Sequence, residues 1–203
     1  MITSIEIKIE KKIDIMKEIQ NRLQPDQWFD LLQIRDSQTY SVLESIIVEK
    51  HHRPNEEFLA FFMHIKNSLA HDQWLQLVMQ ANNANQTALA AAAIMGHTDV
   101  VKEICQSVSK NLLQDLLTKI DMNNRNVLHY AAYEGKEMIE TIKAFVTDSD
   151  WDDLLAAPLP EFHHLVQSQN DPVKFEAMLK LLHTYRIDAE VGRVSRLENE
   201  EGK

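Results

Sequence analysis

Apolar residues along this chain fall in short clusters three and four positions apart, separated by a few polar residues, the signature of many short amphipathic helices. The clusters also repeat. Leu23-Gln24-Pro25-Asp26-Gln27-Trp28-Phe29-Asp30-Leu31-Leu32 is echoed by Leu69-Ala70-His71-Asp72-Gln73-Trp74-Leu75-Gln76-Leu77-Val78, and weaker copies span 108–117 and 146–155. Each copy has an anchor, Trp28, Trp74, Leu113 or Trp151, followed three and four residues later by an apolar pair. Fifteen residues beyond the anchor, Leu43, Leu89 and Leu128 open a second helix, continued by Ile46 and Ile47, Ala92 and Ala93, and Ala131 and Ala132. In the fourth copy that column comes early, at Phe162, with Leu165 and Val166. A third helix closes each unit through Phe61, Phe62 and Ile65; Val100, Val101 and Ile104; Met138, Ile139 and Ile142; and Phe175 with Met178.

The pattern predicts four three-helix units, over about 25–69, 70–108, 109–146 and 147–185, in one array spanning 25–185. Ahead of them, the apolar residues from Ile2 to Leu23 fit both a helix face and a strand alternation. Length decides, because strands of about 20 residues are rare, so 1–24 is expected to be an N-terminal capping helix ended by Pro25. Residues 186–203 carry few large apolar side chains and close on Glu198-Asn199-Glu200-Glu201-Gly202-Lys203, which predicts a polar C-terminal tail, a frayed helix or a disordered end.

The central units resemble ankyrin repeats. Asn85-Gln86-Thr87-Ala88-Leu89-Ala90-Ala91-Ala92-Ala93-Ile94-Met95-Gly96-His97-Thr98-Asp99-Val100-Val101 is similar to that family's G-x-T-P-L-H-x-A-A-x-x-G-H-x-x-V-V, and Asn126-Val127-Leu128-His129-Tyr130-Ala131-Ala132-Tyr133-Glu134-Gly135 is similar again. The specific likeness covers the two central units. It implies an all-α, right-handed helical solenoid, a structural role for His129, and a concave face that binds another protein. Two features depart from the family pattern. The proline of the T-P-L-H box is absent, and the anchors recur at 46, 39 and 38 residues instead of about 33. The extra length is the short Trp-bearing helix, which stands where an ankyrin repeat runs its linker and β-hairpin; the first unit also carries an insertion, Lys50-His51-His52-Arg53-Pro54-Asn55. These periods approach those of HEAT-like repeats, so the expectation is about four ankyrin-like or HEAT-like units behind a capping helix.

Composition narrows the function. The net charge is −10, which repels phosphate backbones and anionic lipid, so neither nucleic acid nor membrane insertion is expected. The longest large-apolar run, Phe58-Leu59-Ala60-Phe61-Phe62-Met63, is far short of a membrane span, and without an apolar signal core the mature chain is expected to begin near Met1. A single cysteine, Cys105, suits a reducing, cytoplasmic setting. Only 4 glycines and 5 prolines leave few tight turns for an all-β fold.

Candidate chemistry is sparse. His51-His52 and His163-His164 are adjacent pairs without a third ligand at helical spacing, which argues against a metal. Asp148, Asp150, Asp152 and Asp153 begin a helix, as Asp26 and Asp72 do, where acids serve as caps. Trp28, Trp74 and Trp151 keep a fixed offset from their apolar pairs and are expected in the core. No phosphate loop, nucleophile with a paired base, or zinc-protease box occurs, so no cofactor, small-molecule substrate or catalysis is expected. The competing reading is a small hydrolase or metal-dependent enzyme around His163, His164 and Asp171.

What remains is a surface. The second-helix residues between the apolar columns are Val48 and Glu49; Ala91, Ile94 and Met95; Tyr130, Tyr133 and Glu134; and His164 with Gln167, flanked by Asn82, Asn83, Asn124 and Arg125 as a polar rim. If this row is open, it is an apolar, tyrosine-rich docking face, and alanine at Tyr130 and Tyr133 weakens partner capture without unfolding the chain. The alternative is that the short helices or the tail cover it. Low glycine content and the Glu-rich end also resemble ankyrin-like effectors that intracellular bacteria deliver into host cytosol, which implies a module that occupies a host protein or restrains another effector.

Overall fold

The computed structural model describes residues 9–37, 39–48, 56–156 and 172–201. These form helices α1 (Ile9–Arg22), α2 (Pro25–Gln33), α3 (Val42–Val48), α4 (Glu56–Asn67), α5 (His71–Met79), α6 (Ala88–Ile94), α7 (Thr98–Ser107), α8 (Lys110–Thr118), α9 (Val127–Glu134), α10 (Lys136–Lys143), α11 (Asp148–Ala156) and α12 (Pro172–Glu201). Among the described residues no strand forms, and the architecture is an all-α repeat solenoid. The columns at Phe162, Leu165 and Val166, the insertion at 50–55, residues 2–8 and the Phe175 side chain lie outside the described residues.

Most of these helices have only seven to nine residues, too few to hold in water by backbone hydrogen bonds alone. Local caps start them. Ser41 and Glu44 close α3 reciprocally, Ser41 N–H donating to Glu44 Oε2 (2.9 Å) and Glu44 N–H to Ser41 Oγ (3.3 Å). Thr87 Oγ1 accepts from Ala90 N–H to start α6, and Asn126 Oδ1 from His129 N–H to start α9. Packing then holds them in rows: α3, α6 and α9; α1, α4, α7 and α10; and, of the short helices, α2 against α5 and α8 against α11.

The short helices bury their anchors: Trp28, Trp74 and Trp151 are each at most 4% exposed. In the first two units the indole N–H is satisfied identically. Trp28 Nε1 donates to Ser68 Oγ (2.8 Å) and Trp74 Nε1 to Ser107 Oγ (2.9 Å), and each serine passes its own proton to a carbonyl at the end of the third helix, Ile65 or Ile104. The third unit has Leu113 as its anchor and Phe145 in the serine column, an apolar pair where the others have a polar one. In the fourth, Trp151 meets the edge of Tyr185 (5.8 Å between centroids, 81°).

Between short and second helices the chain makes a tight turn three times. Asp36, Asn82 and Asp121 open it, the fourth turn residue adopts the left-handed conformation (Thr39 φ 66, Asn85 φ 60, Asn124 φ 57), and a backbone bond closes it, as from Asn82 N–H to Gln86 O (2.9 Å). Isolated β-bridges, Arg35 to Ser41 and Ala81 to Thr87, flank two of the turns. A rudimentary hairpin therefore survives beside the added short helix, where the sequence reading had the helix stand in its place. The second-helix row ends on glycines: Gly96 has φ 72, and Gly135 has φ 124 with ψ −175, a conformation that essentially requires glycine.

Residues beyond 185 continue α12 without a break; Arg186 Nε donates to the Leu155 carbonyl (2.7 Å) and Arg193 pairs with Asp152 (3.4 Å), tying the helix to α11. Met178, Leu182 and Tyr185 are buried. The partners of α12 are α9 and α11, the pairing that second helices make in the earlier units, because α9 would otherwise leave an apolar side uncovered. At the other end, α1 packs on α4 through Ile13 and Met16, while Ile19 of the expected apolar face is 39% exposed.

Candidate functional site

The turn before α9 is built around one buried carboxylate. Asp121 Oδ1 accepts from the backbone N–H groups of Asn123 (2.8 Å) and Arg125 (2.9 Å). Its Oδ2 accepts from Arg125 Nε (3.0 Å) and Nη2 (2.8 Å) and from the Tyr130 hydroxyl. The Tyr130 oxygen in turn accepts from Gln86 Nε2 (2.9 Å) of the preceding turn, and the Arg125 guanidinium lies 5.0 Å from the Tyr130 ring centroid. Burial would raise the Asp121 pKa, but the hydrogen bonds from Tyr130 and Arg125, with the guanidinium charge, hold it below the usual carboxylate range. Burial, then the bond to Asp121, push the Tyr130 phenol up.

Tyr130 and Arg125, expected on an open face and its rim, are therefore core residues, 3% and 6% exposed. The reason is chemical: a carboxylate sunk in the turn needs several donors, and these side chains supply them. The expectation that Tyr130 could be removed without loss of stability fails for the same reason. Asn82, another expected rim residue, is also buried, its Oδ1 accepting from Ala84 and Gln86 N–H in the preceding turn.

The rest of the row is mostly covered. Six of the seven residues of α6, Ala88 to Ala93, are buried among α3, α9, α7 and the short helices α5 and α8. Val48, Ile94, Met95 and Tyr133 are half-buried and pack against the core. Lys174 of α12 lies across the end of α9, with Nζ 2.8 Å from Glu134 Oε1 and 4.2 Å from the Tyr133 ring centroid. Among the described residues of the expected surface, Asn83 and Asn124 alone are exposed, at the turn tips. Glu49, His164 and Gln167 lie outside the described residues, as do His51-His52 and the competing hydrolase set His163, His164 and Asp171.

Accessible apolar surface sits elsewhere. The three turns stack: Asn83 N–H donates to Thr39 Oγ1 (2.8 Å), Met122 N–H to Ala84 O (3.0 Å), and Asn85 Nδ2 to Ile120 O (2.6 Å). Along this edge Ile34, Ile120 and Met122 are 60%, 47% and 74% exposed. Beside Ile34 a groove of about 400 Å³ runs over Tyr40, Val42 and Ile46. Sequence reasoning missed these positions because they follow the helical columns without belonging to them; the recurring Asp or Asn ten residues before each second-helix pair was the available signal.

Two buried histidines serve structure. His97 Nε2 donates to the Ile47 carbonyl (3.1 Å) and its ring stacks on Phe58 (4.3 Å), while His129 Nδ1 accepts from Asn126 N–H (3.1 Å) at the α9 cap. The first unit has Glu44 in the His129 column, 1% exposed. Burial pushes its carboxyl up despite the Ser41 bonds and Arg35 at 3.9 Å. A carboxyl that binds its proton more tightly when folded costs stability as pH rises through and above the unfolded value of 4.5. Glu44→Gln should thus be more stable than wild type at pH 7, with the advantage disappearing in urea titrations below about pH 4.5. Cys105 is buried, and its thiol is pushed up to about 12, leaving it protonated and unreactive at neutral pH. Among the described residues no set of three His, Cys, Asp or Glu could hold a metal ion, and no helix is long and apolar enough to cross a membrane.

Residues 55–152, from α4 into α11, match the family described as ankyrin repeats, in three copies. Comparison with curated proteins and with solved structures finds no match. Ankyrin repeats are in general protein-interaction modules. Over that span, with a Trp- or Leu-anchored short helix added ahead of each turn, the chain carries ankyrin repeats.

Proposed function

We propose that this protein is a non-enzymatic module that holds another protein along the edge of its stacked turns. One observation carries the reading: hydrogen bonds link three successive turns, and the exposed Ile34, Ile120 and Met122, with Asn83 and Asn124 at the turn tips, stand on or beside them. Large apolar side chains held in water on an ordered frame are the raw material of an interface, since little further ordering opposes association. The accessible parts of Val48, Ile94, Met95, Tyr133 and Glu134, at the other ends of the second helices, form a second line of contact in the concave row. Tyr130 and Arg125 act from behind, by fixing the third turn.

The test is a pull-down quantified against wild type. Ile34→Asp with Met122→Asp should reduce capture of the principal partner at least tenfold while leaving the thermal midpoint unchanged. Retained capture by that variant, with loss in Tyr133→Ala, would move the interface to the concave row. Low glycine and the Glu-rich end support deployment as a translocated effector, or a regulator of one, acting in host cytosol. A translocation reporter fused to the full chain tests that.

A further inference from the structure

Between α10, α11 and α12 lies a pocket of about 130 Å³ that no part of the turn edge uses. Two of its walls are aromatic. Trp151 and Tyr185 stand edge to face at 81°, forming a corner, and the Tyr185 hydroxyl is fixed by donation to Glu140. Asp148, Asp152 and Asp188 add carboxylates to the lining beside Ala189 and Gly192, with Arg193 pairing Asp152. A cation already sits in the corner: Lys143 Nζ is 5.6 Å from the Trp151 ring and 5.5 Å from the Tyr185 ring. Lys143 is itself exposed, and Gly192 leaves the α12 side without a side chain, in a helix interior where glycine is otherwise unfavourable.

We propose that this corner receives a lysine side chain from a partner protein, with Lys143 as its exchangeable occupant. Aromatic faces carry negative charge density that attracts an ammonium, and nearby carboxylates add long-range attraction. The cavity is too small for a drug-sized or nucleotide ligand but suits the end of one lysine. Exposed cation–π contacts are weak, so the resident ammonium can yield to an incoming one of the same chemistry. The proposal shares with the previous section only the premise that the protein binds proteins; its residues lie on other helices, so either surface can fail without the other.

The probe is N-acetyl-lysine N-methylamide, titrated into the full chain while the Trp151 indole N–H resonance is followed, with Trp151→Phe for assignment. Lys143→Ala should bind the probe on the order of tenfold more tightly than wild type. Adding Asp188→Asn to Lys143→Ala should remove that gain, and Gly192→Leu, whose added Cβ meets nothing within 4 Å, should block the mouth without unfolding the helix. An unmoved Trp151 resonance in folded Lys143→Ala overturns the proposal. So does an equal shift from the neutral norleucine analogue, which would mark an apolar slot, or equal affinity for the arginine analogue, which would mark a general cation site.

Discussion

Replacing Asp121 with alanine should destabilise the protein by about 3–5 kcal/mol, the range for breaking a buried charge pair from one side. The Arg125 guanidinium, with 7% of its side chain exposed, would be left without its counter-charge. Two backbone N–H groups and the Tyr130 hydroxyl would lose their acceptor in the same step. Because the Asp121 carboxyl titrates below its usual range when folded, its contribution is fully present above the unfolded value of 3.8 and is lost as pH falls through the lower folded value. Wild type should therefore lose stability steeply in that acid window, and Asp121→Asn should lack that part of the loss. Urea denaturation followed by circular dichroism, at neutral pH and through the acid range, measures both. A change under 1 kcal/mol at neutral pH would mean that the network is not what holds the third turn. Since Gln86 of the preceding turn bonds to Tyr130, the damage should spread to α6, which amide exchange would register as lost protection in both units.

Truncating Trp74 to alanine should cost a similar amount, about 3–5 kcal/mol for a large buried aromatic. Its ring is 2% exposed, meets Phe62 edge to face at 5.6 Å, and spends its indole proton on Ser107. A sharper experiment uses the molecule's own variation. The third unit fills these two columns with Leu113 and Phe145, so Trp74→Leu combined with Ser107→Phe transplants a pair that the fold already accommodates. The double variant should be more stable than Trp74→Leu alone, by about 1 kcal/mol of coupling between contacting residues. Additive effects in the thermodynamic cycle would show that the anchor and the serine column are independent.

Both experiments address parts of the chain that the linear pattern exposed unequally. Trp28, Trp74 and Trp151 were legible as core because their apolar pairs recur at the same offset, and a side chain in register with a helix face must go where that face goes. Asp121, Arg125 and Tyr130 were not. Their pairings span four and nine residues across a turn, which helical periodicity does not encode, and Tyr130 reads as a surface residue until its hydroxyl is seen to serve a carboxylate. Ile34, Ile120 and Met122 escaped for the opposite reason: nothing in an isolated isoleucine or methionine says that packing has failed to cover it.

The repetition, the helical character, the ankyrin-like central copies and the burial of the anchors all follow from local spacing, because a short helix can be stable only if its apolar stripe is shared with a neighbour. Which second-helix residues remain accessible depended on arrangement in space. The added short helices flank α6, α12 closes the far side of α9, and Lys174 reaches over Tyr133 and Glu134, so the row that periodicity marked for docking is largely taken up by the chain itself. Exposure is a property of what surrounds a residue, and those surroundings come from other helices, Lys174 of α12 lying 40 positions from Glu134, beyond the reach of any local pattern.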